Sequence, residues 1–142
     1  MLLSSFKRYS GSLINKTVVH SINGVDWLGI NNAGKGILMT TGDGASPTPP
    51  DDLLLAYGSC SASGVKFLLE KRGKRVRNVK VEIEGEWQLA PVRKIKEVRM
   101  NYIIDADDVS QELADNTLKS VEQNMCIIGQ TMKYTPTITL VD

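Results

Sequence analysis

Two side chains in this sequence have the types that do redox chemistry near neutral pH: Cys60 and Cys126. A thiolate attacks disulfides and peroxides, and its pKa of about 8.5 falls near cations and helix N-termini. The competing reading makes both of them packing residues, since free cysteine often behaves as a small buried hydrophobe. Cys60 sits in a run of small residues, Gly58-Ser59-Cys60-Ser61-Ala62-Ser63-Gly64, over which another backbone can approach closely. Cys126 lies in Gln123-Asn124-Met125-Cys126-Ile127-Ile128-Gly129, directly after an amphipathic segment. Because 66 residues separate the two, any disulfide between them has to be made by the fold. Other chemistry is thinly supplied. A single histidine, His20, and two cysteines without CxxC or HxxxH spacing do not make a zinc site. His20 reads as a strand-face residue. Gly34-Lys35-Gly36 lacks the upstream glycine and the following Ser/Thr of a phosphate loop.

The element that must carry Cys60 is the strongest helix in the chain, from Asp51 to about Arg72. Pro50 can take the first helical position, where its missing N–H costs nothing. Asp51 and Asp52 then meet the positive end of the dipole. Gly73 after Lys71 and Arg72 is a natural C-terminal stop. Leu53, Leu54, Leu55, Ala56, Tyr57, Val65, Phe67, Leu68 and Leu69 cannot all occupy one stripe, and a helix apolar nearly all round is buried on several sides. Sheet or a second subunit must cover it. On that helix Cys60 shares a face with Leu53, Ala56, Tyr57, Gly64 and Phe67. Trp27, Tyr57, Phe67 and Trp87 could line an apolar pocket, although such residues commonly serve a core or interface.

The first 41 residues read as β structure, with segments near 5–9, 14–22, 25–31 and 36–41, and Asn23-Gly24 as a two-residue hairpin turn. Strands are expected over Val76–Leu89, where Val79, Val81 and Ile83 alternate with Lys80, Glu82 and Glu84, and over Val92–Ile104. An amphipathic helix follows from Ser110 to Gln123, with Leu113, Leu118 and Val121 inward. A last strand is expected over Lys133–Val141. The order β-rich, long helix, β, helix, β predicts an α+β fold with mainly antiparallel pairing.

The run Ser46-Pro47-Thr48-Pro49-Pro50-Asp51-Asp52-Leu53-Leu54-Leu55-Ala56-Tyr57-Gly58-Ser59-Cys60-Ser61-Ala62 resembles the proline–acid–LLLA…GSC helix start of the OsmC/Ohr proteins. These are osmotically induced and organic-hydroperoxide-resistance thiol peroxidases. The likeness continues through Leu68-Leu69-Glu70-Lys71-Arg72-Gly73 and the Val79–Trp87 strand to Cys126, which stands where the family has its second active-site cysteine. It covers residue 46 to the end, and the N-terminus agrees only in general character.

The resemblance implies a single OsmC-like domain over residues 1–142, with antiparallel sheet around a long central helix and two subunits intertwined as a homodimer. Cys60 would be the peroxidatic thiol and Cys126 the resolving one, in a sulfenic acid and disulfide cycle on an organic hydroperoxide or hydrogen peroxide. A dithiol of lipoyl or thioredoxin type would reduce the disulfide, and no cofactor is implied. The resolving thiol is expected to be the accessible one. Family members activate the first cysteine with an arginine held by a carboxylate. That carboxylate usually stands ten residues before the cysteine, which here is Pro50, so Asp51 and Asp52 are the nearest substitutes. Arg8, the one arginine before Cys60, is the candidate cation. Ile127 stands where the family often has proline, and these departures point to a divergent, YhfA-like branch.

Composition narrows the partners. Seventeen basic and 16 acidic side chains leave a net charge of +1, which argues against nucleic acid. The one basic cluster, Lys71–Arg77, suits a solvated helix end. Neither a secretory leader nor a membrane span is visible, so a cytoplasmic protein is expected. Two rival readings stay open. One is a non-enzymatic dimer binding an acyl or thiol-bearing small molecule in a groove near Cys60; the other is a structural dimer with inert cysteines.

Overall fold

The structure, a computed structural model, describes residues 15–141. The expected strand near residues 5–9 lies outside them. The chain divides into two compact units, one ending at Asp52 and the other running from Leu53.

The first unit is an antiparallel sheet of β1 (Thr17–Ser21), β2 (Asp26–Asn31) and β3 (Gly36–Thr40), in that order. The β1–β2 connection is longer than a two-residue turn. Ser21 pairs with Trp27, and the Asn23 carbonyl oxygen accepts from the backbone N–H groups of Val25 and Asp26 at 3.1 and 2.9 Å. Asn23 therefore folds its own loop through its side chain, which the Asn-Gly pair alone does not reveal. Asn31 does the same between β2 and β3, accepting from Ala33 and Lys35, with Gly34 at φ +73 completing the turn. Val18, Val19, Ile22, Ile37 and Leu38 of this sheet are exposed in the single chain.

Helix α1 spans Pro49–Lys71. Its start is a capping box in which the Thr48 hydroxyl and backbone N–H donate to Asp51 at 2.6 and 3.0 Å. Pro49 thus takes the first helical position, one residue before the Pro50 expected from sequence. The helix stops at Gly73, φ +77, where Lys74 N–H donates back to the Leu69 carbonyl.

In the second unit α1 runs between a hairpin and a helical segment. The hairpin is β4 (Val76–Gln88) with β5 (Lys94–Ala106), antiparallel with Val81 opposite Tyr102. Its inner residues Val79, Ile83, Met100, Tyr102 and Ile104 pack on the core, while Lys80, Glu82, Glu84 and Arg99 face out. On the other side lie α2 (Gln111–Ser120), a single π-helical turn (Val121–Met125) and α3 (Ile127–Lys133). Ser110 caps α2 by accepting from Leu113 N–H at 3.1 Å. The buried centre is Tyr57, Val65, Leu69, Val121 and Cys126. Gly64 of α1 lets Val121 come close, since a Cβ there would stand 3.0 Å from a Val121 methyl.

The closing strand expected over Lys133–Val141 is absent. Lys133 ends α3, and Thr135–Val141 has no regular structure. Ile138, Leu140 and Val141 are 84%, 92% and 89% exposed, so the β-branched alternation is present but no strand lies beside it among the described residues. Among the described residues, no helix is long and apolar enough to cross a membrane.

Candidate active site

Cys60 rides the fourth turn of α1, and its half-buried side chain packs against the buried cluster that contains Cys126. The fold thus gathers both cysteines, as free thiols, into one packed region. Cys126 is placed by the π turn. Its N–H bonds to the Val121 carbonyl five residues back at 2.8 Å, and the widened turn ends in an extended residue, φ −70 and ψ 103. From there its sulfur accepts from the Gly129 N–H at 3.3 Å and caps α3. Cys126 is only 1% exposed, so the thiol expected to be accessible is the enclosed one. Burial pushes its pKa up to about 11, against the Gly129 N–H; Cys60 and the charge of Glu122 push it the same way as burial.

Glu122, on the same π turn, gathers a polar cluster beside the thiols. One carboxylate oxygen accepts from Tyr57 at 2.6 Å and lies 3.4 Å from the Lys133 ammonium. The other accepts from Ser61 at 2.8 Å and from Tyr102 at 3.4 Å, and Ser61 and Tyr102 also bond each other. The Glu122 main-chain carbonyl accepts from Gln130 and Lys133, both at 2.7 Å, which ties α3 to the π turn. Burial and the Glu122 charge hold the Tyr57 phenol well above the usual tyrosine range. Burial foremost pushes Tyr102 up to about 12. Both hydroxyls are therefore proton donors at neutral pH.

Gly129 closes the arrangement. A Cβ at that position would stand 3.0 Å from the Tyr57 hydroxyl and 3.4 Å from the Cys126 sulfur, so both groups line one gap over the bare glycine. Tyr102 also lines a cleft of about 190 Å³ with Ile104, Val109, Ser110 and Leu118. That is below the ~300 Å³ of ordinary small-molecule sites.

The two first-turn acids part company. Asp51 is taken up by the Thr48 capping box, whose hydrogen bonds hold its carboxyl below the usual range. Both carboxylate oxygens of Asp52 are buried without a hydrogen-bond partner among the described residues. Arg8 lies outside the described residues. Of the aromatic side chains considered from sequence, Tyr57 reaches the cluster, while Trp87 is exposed with Arg93 stacked over its ring.

Sequence reasoning missed Glu122, Ser61, Tyr102 and Lys133. Glu122 stands next to the inward Val121 on the π turn, and nothing in the composition announces that turn.

The family profile for OsmC-like proteins matches residues 42–141. Protein YhfA of Escherichia coli (strain K12) is 24% identical over 119 residues, 83% of this chain and 89% of that one. The structure of an OsmC-like protein of unknown function from Vibrio cholerae superposes with TM-score 0.73 at 12% identity, covering 83% of this chain and 92% of the other. The organic hydroperoxide resistance protein OhrB of Bacillus subtilis superposes with TM-score 0.60 at 9% identity, over 86% and 92%. With the profile spanning the helix start, both cysteines and the cluster between them, the chain belongs to the OsmC family.

Proposed function

We propose that the protein is a thiol peroxidase that reduces organic hydroperoxides or hydrogen peroxide through Cys60 and Cys126. The carrying observation is that two free thiols 66 residues apart in sequence meet in one packed cluster, Cys60 lying against the buried group that contains Cys126. Cys60 is the more accessible of the pair and attacks first. Its thiolate takes the distal peroxide oxygen, the O–O bond breaks, and the alcohol or water leaves after gaining a proton. The sulfenic acid then condenses with Cys126 to a disulfide and water. A dithiol of lipoyl or thioredoxin type then exchanges with the disulfide, is itself oxidised, and returns both thiols. The hydroperoxide-resistance name of the Bacillus subtilis structure supports the substrate class.

Of the two acids, Asp52 suits the role of holding an activating cation, because Asp51 is already committed to the helix cap. Burying an unpaired carboxylate is costly, so the position invites a guanidinium, and Arg8 is the proposed one. The protein acts as a single OsmC-like domain and a homodimer. Exposed Leu53 and Leu55 on α1, the apolar side chains of the β1–β3 sheet and the unpaired Thr135–Val141 segment are the surfaces a second copy would cover. A cytoplasmic location fits a cycle that needs reducing partners.

The test is intact-mass analysis after one equivalent of tert-butyl hydroperoxide. The wild-type chain should lose two hydrogens as the disulfide forms, Cys126→Ser should gain oxygen at Cys60, and Cys60→Ser should consume no peroxide. Oxygen gained on Cys126 in the Cys60→Ser protein would reverse the roles. No reaction in any of the three would discard the peroxidase.

A further inference from the structure

We propose that Glu122, acting through the Tyr57 hydroxyl, is the proton acceptor that lets Cys126 close the disulfide on Cys60. The inference rests on the peroxidase reading and concerns its second step. That step is Cys60–SOH + HS–Cys126 → Cys60–S–S–Cys126 + H2O. The S–S bond forms as the S–O bond of the sulfenic acid breaks, no outside oxidant is involved, and the Cys126 proton must reach the departing oxygen.

The geometry gives that proton a route. Cys126 is 1% exposed, so solvent hydroxide has poor access to its thiol. The Tyr57 hydroxyl borders the same gap over Gly129 as the sulfur and donates to Glu122 at 2.6 Å. As Cys126 attacks, its proton passes to the Tyr57 oxygen while the phenol proton moves to the Glu122 carboxylate. Glu122 then gives up a proton, and the departing hydroxide leaves as water. The acceptor is connected to solvent: its side chain is 23% accessible, and Lys133 beside it is half exposed. The groups facing Glu122 are Tyr57 and Ser61 from α1, Tyr102 from β5, and Lys133 and Gln130 from α3. The Cys126 sulfur and the Tyr57 hydroxyl both border the Gly129 gap. Ser61, Tyr102 and Lys133 fix the carboxylate so that one oxygen stays aimed at Tyr57. Glu122 touches no reacting atom, and is a positioning and proton-accepting residue.

Rapid-quench mass spectrometry on the full-length chain with tert-butyl hydroperoxide separates two phases. Sulfenic acid formation scales with peroxide concentration, and the disulfide phase that follows does not. Glu122→Gln should slow the disulfide phase at least about tenfold at neutral pH. Its rate should then climb nearly tenfold per pH unit between about pH 6 and 9, because hydroxide alone is left to take the thiol proton. The wild-type rate should climb much less steeply. Tyr57→Phe should share the defect, and Glu122→Asp should restore part of the rate and the shallow profile. A slower Glu122→Gln phase with the wild-type pH slope would mean a purely structural role and overturn the relay, as would a Tyr57→Phe protein with wild-type rate and slope. A wild-type chain with no first phase would overturn the peroxidase reading and the relay with it. Thermal melts of each variant separate misfolding from lost proton transfer.

Discussion

Replacing Gly64 with alanine tests the seam that holds the two thiols together. Gly64 lies four residues after Cys60, and Val121 lies five before Cys126, so their contact sets how close α1 comes to the π turn. An added Cβ would stand 3.0 and 3.3 Å from the two γ-methyls of Val121, a residue with no exposed surface. Alanine gains about 1 kcal/mol over glycine in a helix interior. Overfilling a packed seam costs about 1–3 kcal/mol, and a branched buried valine has little freedom to yield. The expected net is a loss of roughly 1 kcal/mol, or about 3 °C in Tm for a chain of this size. Val121→Ala alone removes both methyls and should cost about 2 kcal/mol. In the double variant the new Cβ fills part of the vacated space, so the two changes should couple favourably by at least about 1 kcal/mol. Urea unfolding of the four proteins, reduced and at one fixed concentration, gives the cycle. Additivity within about 0.5 kcal/mol, or a Gly64→Ala protein more stable than wild type, would refute the claim that this contact is at its limit.

Further outcomes follow from the same geometry. The buried Cys126 thiol has its pKa raised to about 11 from an ordinary 9.0, so between those values the unfolded chain gives up a proton that the folded one keeps. Stability is thus fully present below about pH 9 and falls as pH rises toward 11; Tm measured across that window should drop less in Cys126→Ser. Asp52→Asn should slow sulfenic acid formation with little loss of Tm, whereas Asp51→Asn should lower Tm and leave the peroxide reaction intact. Thr48→Ala, which removes the hydroxyl of the capping box, should cost about 1 kcal/mol in urea unfolding. Light scattering at micromolar concentration should return twice the 15.6 kDa chain mass, and a value near 15.6 kDa would remove the homodimer.

How far the sequence could be read depended on whether each feature was local. The α1 boundaries follow from Thr48, the prolines and Gly73, all acting within a turn of the helix ends, so they were legible to within two residues. Strands β4 and β5 carry their alternation openly, and Val79, Val81 and Ile83 do lie on the inner side. The Asn23 loop was misjudged because a side-chain acceptor, and not the Asn-Gly dipeptide, decides its length. At the C-terminus the alternation from Tyr134 to Val141 is real, but a strand needs a neighbour, and pattern alone does not supply one. The cysteines were visible as residue types, and so was the choice between two acids. The polar cluster was not, because it joins α1, β5, the π turn and α3, and its central carboxylate sits on an irregular turn.

That turn carries a consequence for the history of the protein. A π turn is an α-helix with one residue too many, so deleting a single position between Val121 and Met125 would give a smoother, intrinsically better helix. The same deletion would shorten the five-residue step from Val121 to Cys126 to an ordinary four-residue one and re-aim the side chains between them. The present setting of that turn is stored as an imperfection, which one deletion could erase while improving the local helix. A laboratory screen that rewards stability alone would be drawn toward that erasure, and the turn's geometry would be lost without any residue of the cluster being substituted.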